Sequence, residues 1–362
     1  MFVKCLNGKC QIMKNRLCVV LVVLLAVSIV SFAAEKEIVK DPEKNFEHLW
    51  KLMDSNYSLF EAKNIDWNLL YKVYRPKVTA KTTDDELFGI MTSMLRHLND
   101  NHVELLCKEP KRLSRSGYLG LLIDEMGTKA IELVSKRPVP AKAFISPPKL
   151  SENKIFLYGK LDEKIGYFHF GKVFDMEGST KAIDNILKEF TDMDAIIIDA
   201  RLNIGGIDLI TQAMVGRFAD KKRLFMTTQQ RNGSKHTDFT KKKEWYVEPQ
   251  GAKQFTKKVI LLTDRTTISS GENFALAMKV LPHVSVVGDF TSGCFADIRH
   301  LLLPNGWHIA IPINLFKDPT GFCWEGIGVP PDVWQHQGFD YVENGNDKVL
   351  KLAIEMIKAS KR

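Results

Sequence analysis

The sequence predicts an α/β protein in which a small helical domain precedes a domain of alternating strands and helices. Three observations support this fold class. Apolar residues recur at helical spacing through residues 41–106. From residue 161 onward, short β-branched runs alternate with amphipathic stretches, which is typical of βαβ units. Finally, the 362 residues exceed the roughly 250–300 at which a single hydrophobic core stops growing.

Residues 1–33 are predicted to be a secretory signal peptide. Residues 1–16 carry no acid and four basic residues, namely Lys4, Lys9, Lys14 and Arg16. An unbroken apolar or small stretch of 16 residues follows at 17–32, and Ser31 and Ala33 supply small residues for cleavage. A membrane-spanning helix needs about 20 apolar residues, and this stretch is shorter. A retained membrane anchor is therefore the alternative to a cleaved signal peptide. The protein is therefore expected to be exported, periplasmic or secreted, or else membrane-anchored.

Removal of this segment changes the charge and the cysteine count. The formal charge of +8 falls to +4 with the loss of four basic residues. Lys241–Lys243 is a tight basic run, and it is predicted to lie in a polar loop without nucleic-acid-binding motifs. Nucleic-acid partners are therefore not expected. Cys107, Cys294 and Cys323 remain, too few for a disulfide framework, and Cys294–Cys323 is the favoured pair if one forms.

Three helices are predicted within residues 41–106. The first begins at Asp41-Pro42 and places Phe46, Leu49, Trp50 and Met53 at helical spacing. The others are expected near 67–74 and 84–98, the last capped by Thr83 or Asp84. The turn-forming residues 99–102 end this helical domain.

The remaining chain divides into three parts. Residues 107–160, which contain five prolines, are predicted to be a linker with short strands, one of them near Tyr118–Ile123. Residues 161–335 form the alternating domain, and residues 336–362 a C-terminal helix. Strands are expected at 165–170, 195–198, 259–262, 284–287 and 307–311, and helices at 179–190, 208–218, 269–279 and 347–360.

Ser269 lies between a buried strand and a predicted helix. Ser269-x-x-Glu272 is a capping box, which explains the serine without any chemistry. The same position suits a nucleophile, because the positive end of a helix favours a developing anion. The N–H of Ser270 could then face the oxyanion of an acyl-transfer intermediate.

Three other features are weak when taken singly. Gly205 and Gly206 follow a strand that ends at Asp199, and they are explained equally by a tight turn or by backbone N–H groups exposed to a ligand. His102 follows a helix, where a histidine is favourable for dipole reasons alone, and Glu325 is a loop carboxylate. Together they supply a nucleophile, a base, an acid and oxyanion donors. No metal or nucleotide motif competes, so no metal or cofactor is expected.

These residues stand in motifs that resemble the carboxyl-terminal processing peptidase family, in its tricorn-core and retinoid-binding-protein-like branch. Five motifs occur in the family's order: Leu98–His102 resembles L-x-D-x-H, Asp199–Gly206 resembles D-x-R-x-N-x-G-G, Thr263–Glu272 resembles the nucleophile turn T-x-x-x-x-S-A-G-E, Gly288–Gly293 resembles G-E-x-T-x-G, and Glu325–Asp332 resembles E-G-x-G-V-x-P-D. The helical segment from Phe46 also resembles the family's N-terminal domain.

The resemblance implies a fold and a set of roles. The fold is a ClpP/crotonase-like spiral of ββα units. Ser269 matches the nucleophile, His102 the general base and Glu325 its acidic partner. Ser270 N–H, with Gly205 or Gly206, matches the oxyanion hole. The implied activity is a serine endopeptidase that cleaves peptide or protein substrates through an acyl-enzyme.

Three departures qualify the resemblance. Cys294 stands where the Ser–Lys branch has its lysine, which makes His102 the required base. Ser270 replaces the usual alanine, and residues 107–164 are too short for a PDZ domain. A non-catalytic binding protein on the same fold, or an esterase-type acyl hydrolase, is the alternative function.

Overall fold

Helices and strands alternate through most of the chain in the structure, a computed structural model that describes residues 38–117, 143–337 and 346–360. The segment predicted as a signal peptide and the strand expected near Tyr118–Ile123 lie outside these ranges. All of the elements named below belong to one unit, Lys40–Arg362. Across the described residues, no helix has the length and apolar character needed to cross a membrane.

The described helices are α1 Pro42–Asn56, α2 Trp67–Tyr74, α3 Asp84–Leu95, α4 Met176–Glu189, α5 Asp208–Val215, α6 Ser270–Lys279 and α7 Lys348–Ala359. The described strands are β1 Glu104–Cys107, β2 Arg112–Arg115, β3 Lys149–Leu150, β4 Phe156–Asp162, β5 Ile165–Phe170, β6 Ala195–Asp199, β7 Arg223–Gln230, β8 Lys243–Val247, β9 Lys258–Thr263, β10 Val284–Gly288, β11 Ile298–Leu302, β12 His308–Pro312, β13 Asn314–Lys317 and β14 Val333–Trp334. The predicted α/β class is confirmed.

A seven-stranded sheet forms the centre of the unit, in the order β14-β10-β9-β6-β5-β4-β3. Within this sheet, neighbouring strands pair in parallel among β5, β6, β9, β10 and β14. At one edge, β4 pairs antiparallel with β5, and β3 pairs antiparallel with β4. Every residue of β6 is buried, as expected for a parallel strand covered on both faces. The carboxyl ends of β6 and β9 lie side by side, so the loops that follow them meet at one edge.

The helical segment is held by sequence-local caps. Asp41 accepts a hydrogen bond from Lys44 N–H at 3.0 Å and Pro42 occupies the first turn of α1. At α3, Thr83 and Glu86 form a reciprocal capping box, with distances of 3.3 and 2.9 Å. These polar contacts fix the helix starts that the sequence predicted.

A second sheet joins this helical segment to the rest of the unit. Its order is β11-β12-β1-β2, so β1, which directly follows the helices, pairs with β12 from far along the chain. The helices bury Phe46 and Leu49 in the same apolar cluster as Ile309 and Ile311 of β12. The pairing carries the residues just before β1, including His102, towards the central sheet.

Several strands were not predicted. Glu104–Cys107 is a strand although it lies at the end of the segment read as helical, and β4 begins at Phe156, before residue 161. Lys243, expected in a loop, begins β8, and a third sheet has the order β13-β7-β8. Most of β11 is exposed, so its sequence lacks the apolar alternation that marks a half-buried strand.

Candidate active site

Ser269 occupies the N-cap of α6, in the loop that follows β9. Its φ of +59° and ψ of −126° lie in a region that residues with a side chain rarely adopt. The strain is held by backbone contacts, because Ser269 N–H donates to the Cys294 carbonyl at 2.9 Å and to Glu272 Oε2 at 3.2 Å. Ser269 is half-buried, and the hydrogen bond from its N–H to the Cys294 carbonyl fixes its main chain.

Glu272 connects α6 to the loop that carries Cys294. The Glu272 half of the predicted capping box is present, because its carboxylate accepts from Ser269 N–H at 3.2 Å, whereas Glu272 N–H donates to the Ser269 main-chain carbonyl at 2.8 Å. The Glu272 carboxylate also accepts from Thr291 Oγ1 at 2.6 Å, from Gly293 N–H at 2.7 Å and from Cys294 N–H at 2.6 Å. Burial raises the pKa of Glu272 to about 7, although these donors favour the carboxylate. Sequence reasoning treated Glu272 as a cap and missed this second connection.

A buried ion-pair network anchors the loop after β6. Arg201 donates to Asp199 through Nε at 2.9 Å, and its NH2 group donates to Asp347 Oδ2 at 2.8 Å. Burial by itself raises the pKa of Asp199, but the adjacent Arg201 guanidinium outweighs it and holds that pKa below its usual range. Asp347 also caps α7 by accepting from Leu350 N–H at 2.8 Å. The sequence offered no local signal for the Asp347 contact.

The same loop is joined to the serine loop. Leu202 N–H donates to Thr266 Oγ1 at 2.8 Å, and Ile268 N–H donates to the Asn203 carbonyl at 2.9 Å. A Cβ placed on Gly205 would lie 2.9 Å from Ser269 Cβ, and Gly205 has a φ of +88°. Position 205 therefore requires glycine for both space and conformation.

The two glycines differ in what their N–H groups do. Gly205 N–H donates to Asn203 Oδ1 at 2.8 Å. Gly206 forms a parallel bridge with Val173 through the carbonyl before it and the N–H after it, so its own N–H points to the other side. Within residues 38–117, 143–337 and 346–360, no acceptor contacts the N–H of Gly206 or of Ser270. These two N–H groups are the available donors near Ser269.

His102 and Glu325 meet at the side chain of Cys294. One ligand-type atom from each of the three lies within 4.8 Å of the other two, and all three residues are buried. Glu325 Oε2 accepts from Phe295 N–H at 3.0 Å. Among the described residues, neither Glu325 Oε1 nor His102 Nδ1 has a hydrogen-bond partner. Because the Cys294 carbonyl accepts from Ser269 N–H, this cluster adjoins the serine.

Asp100 holds the turn that carries His102. Its Oδ1 accepts from His102 N–H at 2.9 Å, and its Oδ2 accepts from the Tyr57 hydroxyl at 2.8 Å. Lys63 Nζ lies 3.6 Å from the same carboxylate and donates to the Asn99 carbonyl at 2.9 Å. Asp100 thus fixes the histidine through the main chain.

Burial disfavours the charged form of each group in the cluster. It lowers the pKa of His102 and raises the pKa of the Cys294 thiol well above its usual range. The pKa of Glu325 is also raised well above its usual range, by burial first and by the charge of Asp100 second. The imidazole and the thiol therefore favour their neutral forms, and burial opposes a charge on Glu325.

The structure also describes the cysteines and the hydroxyl group of Ser270. Cys107, Cys294 and Cys323 are all free, so the favoured Cys294–Cys323 pairing is wrong. The hydroxyl of Ser270 lies 3.1 Å from Thr211 Oγ1 on α5, where it is buried. The second serine is thus occupied by a packing contact.

Family models match two segments of the chain. The Peptidase family S41 model covers residues 164–334, and the Tricorn protease C1 domain model covers residues 38–96. A solved structure of an inferred peptidase from Parabacteroides merdae is 27% identical, with a TM-score of 0.73, covering 88% of this chain and 97% of that one.

Two curated relatives are similar over most of this chain. The carboxy-terminal processing protease CtpB of Bacillus subtilis is 24% identical over 69% of this chain, which spans 48% of that protein. The tricorn protease of Thermoplasma volcanium is 24% identical over 68% of this chain and 21% of its own length. The chain thus spans about half or less of these relatives. The chain is thus similar to peptidase family S41, a family of serine peptidases, through residues 164–334, and to the tricorn protease C1 domain through residues 38–96.

Proposed function

We propose that the protein is an exported serine endopeptidase that hydrolyses peptide bonds through an acyl-enzyme on Ser269. The carrying observation is that Ser269, in a strained turn at the start of α6, adjoins the buried cluster containing His102. Export rests on the predicted signal segment, residues 1–33.

The cluster supports His102 as the general base. Burial lowers the pKa of His102, so the imidazole is neutral and has a lone pair that can take the Ser269 proton. The Ser269 oxygen then attacks the peptide carbonyl, and the protonated imidazole gives its proton to the leaving amine. A water molecule that gives a proton to the same imidazole then attacks the acyl-enzyme, and the Ser269 oxygen takes that proton back as the acyl group is released. Glu325, within 4.8 Å of the imidazole, orients the ring during these steps.

Oxyanion stabilisation is assigned to two main-chain donors. Ser270 N–H lies at the start of α6, where the helix dipole adds positive potential. Gly206 N–H is the second donor, because Gly205 N–H is already used by Asn203. One such donor is typically worth about 10²–10³-fold in kcat.

The surface beside the serine supports substrates with apolar side chains. Ile204 and Ile207 flank the glycine pair and are 47% and 44% exposed. Phe174, next to the residue that bridges Gly206, is 59% exposed. We therefore expect peptides with apolar residues around the cleaved bond to be cut faster than peptides with acidic ones.

Labelling with a fluorophosphonate probe, together with hydrolysis of a peptide panel, tests the proposal. Ser269→Ala removes the nucleophile and should abolish labelling and lower kcat by roughly 10⁴–10⁶-fold. Ser270→Ala is the matched control, because it removes a neighbouring hydroxyl but keeps the main-chain N–H. It should label at a rate within about tenfold of the wild type, since the N–H supplies the oxyanion contact.

Two outcomes would contradict the assignment. Equal labelling of the wild type and Ser269→Ala would exclude Ser269 as the nucleophile. Hydrolysis of esters with no cleavage of any peptide would favour the esterase alternative.

A further inference from the structure

Three potential metal ligands, His102, Cys294 and Glu325, converge in the buried cluster. His102 is 8% exposed, Glu325 is 6% exposed and Cys294 is fully buried. The unpartnered atoms His102 Nδ1 and Glu325 Oε1 are each buried polar atoms, which is unfavourable without a partner. Both residues belong, with Cys294, to the group whose ligand-type atoms lie within 4.8 Å of one another.

This donor set matches Zn²⁺ better than harder cations. One nitrogen, one sulfur and one carboxylate oxygen are ligands that Zn²⁺ accepts in tetrahedral sites, with a fourth position left for water. Binding of the ion would displace the Cys294 thiol proton to solvent, so that the sulfur binds as a thiolate. Mg²⁺ and Ca²⁺ require oxygen ligands, and a thiol selects against them. The backbone of Ala296 lies close enough to the same imidazole to raise its pKa, and a backbone carbonyl is an outer partner that metal-bound histidines commonly have.

Two charged groups lie beside the cluster. The buried Asp100 carboxylate and the Lys63 ammonium that pairs with it at 3.6 Å both influence Glu325 and Cys294, so their charges largely offset one another there. Glu325 is followed directly by the exposed residues Gly326 and Ile327, so the cluster begins one residue from solvent.

We propose that His102, Cys294 and Glu325 form an inhibitory Zn²⁺ site within the catalytic centre. The inhibitory part rests on the proposed function, whereas the binding part does not. A metal on one imidazole nitrogen leaves the ring proton on the other nitrogen, so the ring keeps no lone pair for the Ser269 proton. Bound zinc therefore switches the base off without blocking Ser269 itself.

Cobalt substitution reports this site independently of activity. Co²⁺ bound to a thiolate gives a near-ultraviolet charge-transfer absorption, and Zn²⁺ that takes the same site removes it. We expect the purified wild type to bind one Co²⁺ with this absorption and to lose it on addition of one equivalent of Zn²⁺. Cys294→Ala should lack the absorption and bind Zn²⁺ at least about 100-fold more weakly, because a first ligand is worth at least as much as an outer contact.

Cys323→Ala is the matched control. Cys323 is a free, partly buried cysteine two residues from Glu325 that is not part of the convergent group. Its removal should leave the absorption and the zinc affinity within about threefold of the wild type, since no ligand is lost. Cys294→Ser, which preserves the size of the side chain, serves as a second variant if the alanine variant does not fold.

Inhibition is measured as the ratio of fluorophosphonate labelling with and without Zn²⁺, each variant being compared with its own zinc-free rate. Zinc should slow labelling of the wild type and of Cys323→Ala, and Mg²⁺ should have no effect. Equal cobalt spectra for the wild type and Cys294→Ala, or no thiolate absorption in the wild type, would overturn the site. Zinc binding by a protein without peptidase activity would overturn the proposed function alone.

Discussion

Gly205 leaves no room for a side chain against the proposed nucleophile. In Gly205→Ala the new Cβ would lie 2.9 Å from Ser269 Cβ and 3.0 Å from the Ile268 carbonyl oxygen. Since a shift of about 1 Å in a reacting group can cost roughly 100-fold, we expect kcat/KM to fall by at least that factor. Peptide hydrolysis and thermal unfolding, measured on the same samples, separate this effect from unfolding.

Gly306→Ala is the control for backbone strain. Gly306 has a φ of +81°, close to the +88° of Gly205, but nothing lies within 4 Å of the position that an alanine methyl group would take there. Both variants should lose about 1–2 kcal/mol of stability from the left-handed conformation. Only Gly205→Ala should lose activity, and equal losses in both variants would show that the contact with Ser269 is unimportant.

Individual site residues were predictable to different degrees. The motif around Ser269 was visible, but its own neighbourhood indicated only a helix cap, of which the Glu272 half is present. Cys294 stood out in the sequence only because a lysine was missing there. Its contact with His102 and Glu325 was not predictable, because the three residues are brought together by the pairing of β1 with β12 and by loop closure.

At the scale of elements, Asp347 connects α7 to the loop that carries the glycine pair. Asp347→Ala removes both the cap on Leu350 N–H and one partner of the buried Arg201. Loss of a cap costs about 1 kcal/mol, and a buried charge that loses a partner costs roughly 3–5 kcal/mol. Because Asp199 still pairs with Arg201, we expect a total loss of about 2–4 kcal/mol, measured by urea denaturation.

Asp347→Asn separates the two contributions. Asparagine is as good an N-cap as aspartate, so this variant keeps the acceptor for Leu350 N–H and loses the charge near Arg201. The free energy of unfolding of Asp347→Asn should lie between that of the wild type and that of Asp347→Ala. If the asparagine variant is as stable as the wild type, the ion pair contributes nothing beyond the cap.

The elements that sequence predicts well are those whose burial is uniform. The β-branched run of β6 and the apolar run of β9 are buried along their lengths, and both were predicted within one residue of their ends. Strand β11 is almost entirely exposed, and β8 begins with exposed Lys243 and Glu244, so neither carries an apolar pattern. β11 pairs with β12, the next strand along the chain, and β8 pairs with β7, the strand before it, so pairing with a neighbouring strand forms them without an apolar pattern of their own.

At the scale of the whole molecule, the helical segment and the β12 region share one apolar cluster. Ile309 and Ile311 of β12 are fully buried against helical residues such as Leu49. Main-chain contacts reinforce this, since Ser58 N–H donates to the Pro312 carbonyl at 3.1 Å. The helices therefore cannot detach without exposing a strand of the second sheet.

This shared core predicts that α1 and β12 of the second sheet open together. Native-state hydrogen exchange should give α1 amides and β12 amides the same opening free energy, because both elements bury side chains in the same apolar cluster. Ile311→Ala, in β12, should lower the protection of both sets equally, by about 2–4 kcal/mol, although it lies outside α1. If the variant lowers the protection of β12 amides while α1 amides keep theirs, the helical segment unfolds separately, and the histidine that follows it would be held in the site only while that segment stays docked.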